Sequence, residues 1–280
     1  MCIDVDSTGF VYIYDAIKGD VKVYDSEGVY AKTVKALPWI VGEQMLGDMG
    51  VGPNGDIYLA IESGRMDERI RIYKVSATDG TLEQLPTALD RDFLMKDGIP
   101  VSSSLFLTVD TFGDVYLVDR HSWNTITIVR EDKVLKPEDQ LASLRKGHPM
   151  KSGYWVVVRG RPTRSWDERL TAAIYDKGGR EFCRFSSLRG PVVGVDAEGN
   201  AYVDVVKRKG KQLVFSTEIL SPQGELVGII DSPRIRSSTR RFGKGTRRLF
   251  APDGSAYKLV GTHDSVRVYK WQRVSCDTVP

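Results

Sequence analysis

Three histidines, a set of regularly placed aspartates and a dense run of basic residues are the parts of this sequence whose chemistry invites a function. His121, His148 and His263 are the entire histidine complement. Imidazole can act as a general base or a metal ligand. No HExxH pair, GxSxG nucleophile or phosphate-binding loop accompanies them. Asp4, Asp6, Asp110 and Asp196 could offer oxygens to a hard cation such as calcium. Their equivalent places in a repeat favour the capping of turns instead. Cys2, Cys183 and Cys276 form no CxxC pair for zinc and no disulfide framework. Three thiols are expected, with a Cys2–Cys276 clasp as the alternative if the termini meet. No catalytic set, metal site or cofactor is expected from these residues.

The basic residues are more informative than the net charge of +3. Residues 1–140 carry a net −10 and residues 141–280 a net +13. Three clusters stand out in the second half: Arg159, Arg161 and Arg164 beside Trp166; Lys207, Arg208, Lys209 and Lys211; and Arg234, Arg236, Arg240, Arg241, Lys244, Arg247 and Arg248. Ser232 to Arg248 holds seven basic side chains and no acidic one. Lys146, His148, Lys151 and Arg189 add to them. Arginine's planar fork suits phosphate, sulfate or carboxylate, and a dipolar charge distribution orients anionic partners.

What must position these residues is a repeat. One unit runs as apolar strand, polar turn with Gly, aromatic strand, loop, third strand, second turn and fourth strand. Its clearest copy is Ile3-Asp4-Val5-Asp6, Ser7-Thr8-Gly9 and Phe10 to Asp15, followed by Val21 to Tyr24 and Val29 to Val34. The turn glycine recurs at Gly9, Gly55, Gly113, Gly153, Gly199 and Gly254, at intervals of 46, 58, 40, 46 and 55 residues. Alternating side-chain character marks the flanking runs as strands, and Gly supplies the positive φ of a tight turn. Four-stranded units of this length, repeated six times, predict a six-bladed β-propeller with four-stranded antiparallel blades. The whole chain, 1–280, is expected to form one domain, with blades at about 1–34, 47–86, 104–135, 150–186, 191–230 and 246–280. An open solenoid is the alternative. The fourth copy is the weakest, with Lys151-Ser152-Gly153 where an aspartate turn is expected. Lys136 to Lys146 reads as a short helix, with Pro137 suited to its first position and Glu138-Asp139 to its positive end. Leu37 to Gly47 reads as an insert without an assigned role.

The run Val195-Asp196-Ala197-Glu198-Gly199-Asn200-Ala201-Tyr202-Val203-Asp204, with Val109 to Asp119 close to it, resembles the repeat of NHL-type six-bladed propellers. The resemblance implies fold rather than function, because this fold carries enzymes, binding modules and scaffolds alike. It also implies that loops joining second to third strands, and one blade to the next, share the face on which propellers meet ligands. On that face the three basic clusters of blades 4–6 become one arc. A non-catalytic binding or scaffold role toward an anionic polymer or acidic protein surface is the favoured reading. RNA binding is an alternative, weakened by the few nearby aromatics: Trp155, Trp166 and Phe242, of which Trp155 falls in a strand and reads as core. The other alternative is a lactonase- or lyase-type enzyme with a metal near the axis. It is weakened because His121 and His263 fall in equivalent loops of opposite blades. Pairing of acidic and basic halves between copies would give self-association. No apolar run of about 18 residues exists, so no membrane span is expected. Met1-Cys2-Ile3-Asp4 lacks the features of a signal peptide, which leaves a cytoplasmic address or, with a leader removed, an extracytoplasmic one.

Overall fold

The computed structural model describes residues 2–15, 18–35, 45–62, 70–87, 105–119, 123–159, 170–209, 212–231, 248–261 and 266–271. They form six consecutive antiparallel sheets, and the fold class is the six-bladed β-propeller. Blade 1 contains Ile3–Val5, Val11–Asp15, Asp20–Tyr24 and Tyr30–Lys35. Blade 2 contains Met45–Val51, Ile57–Glu62, Ile70–Val75 and Leu82–Leu85, and blade 3 Leu105–Val109, Val115–Asp119, Asn124–Arg130 and Lys133–Val134. Blade 4 contains His148–Pro149, Trp155–Arg159, Leu170–Tyr175 and Glu181–Leu188. Blade 5 contains Val192–Val195, Ala201–Lys209, Gln212–Leu220 and Leu226–Asp231. Among the described residues blade 6 has three strands, Arg248–Phe250, Ala256–Gly261 and Val266–Trp271. Contacts group the chain into two units, Met1–Pro149, with blades 1–3 and the short first strand of blade 4, and Met150–Pro280, with the rest of blade 4 and blades 5 and 6.

In each unit the sheets bury their faces on one another. Blade 2 shows why its second strand reads as an unbroken apolar run. Ile57, Leu59 and Ile61 pack with Tyr12, Tyr14, Val21 and Val23 of blade 1. Tyr58 and Ala60 point the other way, to Leu107, Val115 and Leu117 of blade 3. A strand covered on both faces has no solvent side, so the usual alternation of apolar and polar residues disappears. In the second unit Val156, Ala172 and Ile174 of blade 4 meet Val203 and Val205 of blade 5, whose other face presents Tyr202 and Ile219 to Phe250 of blade 6.

All six turn glycines adopt positive φ, between +81° and +88°. Each donates its N–H to the carbonyl three residues earlier, for example Gly9 to Asp6 at 3.3 Å and Gly153 to Met150 at 2.9 Å. The fourth copy therefore makes the same turn without its aspartate, and Ser152 Oγ donates from it to the Val195 carbonyl of blade 5 at 2.6 Å. The expected helix is present as α1, Pro137–Ala142, with Pro137 in its first turn beside Glu138 and Asp139. Its fully buried Gln140 donates to the carbonyls of Pro86 and Leu135, both at 2.8 Å, which ties α1 to the end of blade 2. Of the Leu37 to Gly47 insert, residues 45–47 belong to the first strand of blade 2 and the rest lie outside the described residues.

Blade 3 departs from the repeat at its second turn. Blades 1, 2, 4 and 5 place Gly28, Gly80, Gly179 and Gly224 at positive φ there, whereas blade 3 turns on Glu131 at +50° and Asp132 at +60°. A side chain in this region costs about 1–2 kcal/mol per residue. The Glu131 N–H is held by Asp114 Oδ1 at 2.8 Å. Replacing Glu131-Asp132 by Asn-Gly, the residues this two-residue turn favours, should raise stability by about 1 kcal/mol, read as a higher midpoint in urea. Gly194 is needed for a different reason. A Cβ there would lie 2.5 Å from Phe250 Cγ, so Gly194→Ala should destabilise the chain by about 1–3 kcal/mol in the same measurement.

Candidate functional site

The repeated aspartates are caps, as their spacing suggested. Asp6 Oδ1 accepts from the Thr8 and Phe10 N–H groups, at 2.9 and 3.0 Å, and Oδ2 accepts from the Tyr12 hydroxyl at 3.1 Å. Asp110 repeats this with Phe112, Asp114 and Tyr116. Asp196 repeats it with Glu198, Asn200 and Tyr202. In every case the tyrosine lies six residues after the aspartate, on the strand that leaves the turn. Burial, reinforced by the neighbouring carboxylates, pushes the Tyr12 and Tyr116 hydroxyls well above their ordinary range, so they remain protonated donors. Asp4 plays a different part. Its Oδ2 accepts from the Val51 N–H at 2.6 Å and joins blades 1 and 2. Among the described residues no group of three or more potential metal ligands occurs.

The three histidines divide. His121 and His263 lie outside the described residues. His148 is a half-buried strand residue rather than an exposed loop group. Its ring is stacked near-parallel on Phe106, with centroids 6.5 Å apart, and tilted against Trp123 at 5.3 Å. The short strand Arg145–Lys146 pairs with Asn124 and Thr125 and brings these distant residues together. Trp123 adopts a φ of +57°, fixed by hydrogen bonds through its N–H to Asp119 and its carbonyl from Gly147. Nothing in the sequence signals this cluster. Burial pushes the Cys183 thiol up to about 11, with Glu181 a lesser cause. The thiolate needed for nucleophilic chemistry is disfavoured there. The Cys2–Cys276 clasp cannot be placed, because Cys276 lies outside the described residues.

Of the basic residues singled out above, Arg159 is exposed at the C-terminal end of the second strand of blade 4. Arg189 is exposed just beyond the fourth strand, whose Leu188 pairs with Leu170 at the same end of the sheet. Arg248 opens the first strand of blade 6, opposite Lys258. Lys151 falls in the turn between first and second strands, at the other end of blade 4 from Arg159, and so does not join that group. Arg161, Arg164, Lys211, Arg234, Arg236, Arg240, Arg241, Lys244 and Arg247 lie outside the described residues, as do Trp166 and Phe242. Trp155 is core, at 6% exposure.

The blade 5 cluster differs from its expected form. Lys207, Arg208 and Lys209 do not lie in a loop; they continue the second strand, opposite Val214, Leu213 and Gln212. The second and third strands of blade 5 are nine residues each, where the second strands of the other blades have five or six. The last pair of that hairpin among the described residues is Lys209 with Gln212. Lys207 Nζ pairs with Glu218 Oε1 at 2.8 Å, a partner that a count of basic residues does not reveal.

No protein-family model matches the chain, and no curated protein does. Solved structures that it resembles include a luciferin-regenerating enzyme, at 14% identity and a TM-score of 0.47 over 98% of this chain and 91% of that one. A protein of unknown function from Bacteroides caccae matches at 12% identity and 0.46, over 82% and 81%. A virginiamycin B lyase from Staphylococcus aureus matches at 9% identity and 0.40, over 97% and 84%. At these identities and TM-scores the likenesses assign no activity, ligand or partner to this chain. The capping geometry does make a direct prediction. Tyr202 donates to both Asp196 Oδ2 and the Gly254 carbonyl of blade 6. Tyr202→Phe should therefore cost about 1–3 kcal/mol in urea unfolding, and exchange of calcium for a chelator should leave that cost unchanged.

Proposed function

We propose that the chain is a non-catalytic binding propeller of NHL-like repeat, whose basic side chains in blades 4–6 engage an anionic polymer or an acidic protein surface. The observation that carries this reading is the reach of the blade 5 hairpin, which sets Lys207, Arg208 and Lys209 in strand positions beyond the first and fourth strands of their sheet. Exposed Arg159 and Arg189, and Arg248 at the start of blade 6, belong to the corresponding ends of their own sheets. The net +13 of residues 141–280 supports a site that works by long-range attraction and multiple charge-assisted contacts. Lys207 contributes less than its neighbours, because Glu218 already compensates it.

Retention on immobilised heparin, followed as salt is raised, tests the reading. Retention persisting to physiological salt is expected. The triple variant Arg236→Glu, Arg240→Glu, Arg241→Glu should elute at markedly lower salt with an unchanged unfolding midpoint. Elution of the parent chain below physiological salt, or no difference between parent and variant, would overturn it.

A further inference from the structure

We infer that the outer edge of blade 5 takes up an extended peptide segment of a protein partner as a fifth strand, the segment being apolar at alternate positions and followed by a basic residue. The inference goes beyond the anionic-partner reading and does not depend on it. Among the described residues the fourth strand, Leu226–Asp231, pairs on one side only, with Ser216 to Leu220 of the third strand. Along its other side every second residue turns its N–H and C=O outward, which is the template on which a further strand adds.

Folded proteins blunt such edges with charged side chains, with shortness or with a cover. The other described fourth strands do so. Blade 1 has Lys32 and Lys35, blade 2 has Glu83, and blade 4 has Glu181 ion-paired with Arg184. The fourth strand of blade 3 is two residues long, and one of them is Lys133. Blade 5 departs from this pattern. Leu226-Val227-Gly228-Ile229-Ile230 carries no charge, and three of its residues are β-branched. Leu226 is 55% exposed, Val227 40% and Ile229 51%.

Register defines the side chains that an added strand would bring. Directly opposed residues share a face, and residues two apart on a strand point the same way. Leu226 stands opposite Leu220, and Ile229 opposite Glu218. Leu226 and Ile229 therefore flank one face, with Val227 taken up by the bulge between them. A partner strand covers them with apolar residues at positions i and i+2. Glu218 on that face is already compensated by Lys207. Exposed Glu225 precedes the apolar run. On an antiparallel partner it lies beside the residues that follow the apolar pair, where a basic side chain makes an opposite-charge pair.

Area selects a peptide over a second copy of this chain. A stable dimer covers roughly 800 Å² on each partner, and three part-exposed side chains on one strand fall far short of that. A peptide that adds a strand draws its affinity from main-chain hydrogen bonds and asks only for contacts at alternate side chains.

The experiment is fluorescence anisotropy of a labelled decapeptide, alternating Val and Thr and ending in two Lys, titrated with the full chain. Saturable binding is expected. Methylating the backbone nitrogens of alternate residues keeps the side chains and the charge. One alternate set should weaken binding about tenfold or more and the complementary set should not, because only one set faces the edge. Ile229→Lys introduces the charge that blades 1 and 3 carry at their edges. It should weaken binding about tenfold and leave the unfolding midpoint unchanged. No saturable binding, or binding that Ile229→Lys and both methylated peptides leave intact, would overturn the inference. Concentration-dependent association of the parent chain that Ile229→Lys abolishes would overturn it too, by giving the edge to a second copy.

Discussion

Everything in this fold depends on sheets that are apolar on both faces. Such a sheet cannot stand alone in water, and each removes its faces from solvent only by standing against the next. Blade 2 is the clearest case. Successive residues from Ile57 to Ile61 are claimed alternately by blade 1 and blade 3. The turn chemistry is subordinate to this constraint. In blades 1, 3 and 5 an aspartate, a left-handed glycine and a tyrosine six residues on from the aspartate hold the turn between the first two strands. Blade 4 demonstrates the order of importance. It has lost the aspartate, keeps Gly153 at a φ of +88°, and still packs through Val156 and Ile174.

The fold was legible because its signals are local and repeated. Positive-φ glycines leave a mark at six places, and the aromatic strand after each is recognisable by composition alone. The helix Pro137–Ala142 was legible for a similar reason, since a proline followed by two acids describes a helix start. The caps at Asp6, Asp110 and Asp196 could be read from their recurrence. Their tyrosine partners could have been, because the spacing of six is constant, but a hydroxyl-to-carboxylate bond leaves no trace beyond that spacing.

Functional positions were harder to read because they follow no period. Among the described residues the extension of blade 5 past Asp204 has no counterpart in the other blades, so the repeat gave no reason to continue the strand. The pairing of Lys207 with Glu218 depends on that extension, since only the register of the hairpin sets the two on one face. The stack of Phe106, Trp123 and His148 was invisible for another reason. It is assembled by the two-residue strand Arg145–Lys146, too short to declare itself, and by a tryptophan in a conformation that sequence disfavours.

Gly50 and Gly194 carry a consequence for the order of the blades. Each stands two positions before the residue that opens its turn, the place that Asp4 holds in blade 1. Gly50 admits Leu107 and Val109 of blade 3, and Gly194 admits Phe250 of blade 6, whereas Asp4 reaches across to a backbone N–H. Equivalent positions of the repeat are thus keyed to particular neighbours. A blade moved to a new place in the order would bring the wrong key, with a carboxylate or a methyl group where a bulky side chain must enter. The sequence repeats one pattern, but the units are not interchangeable parts.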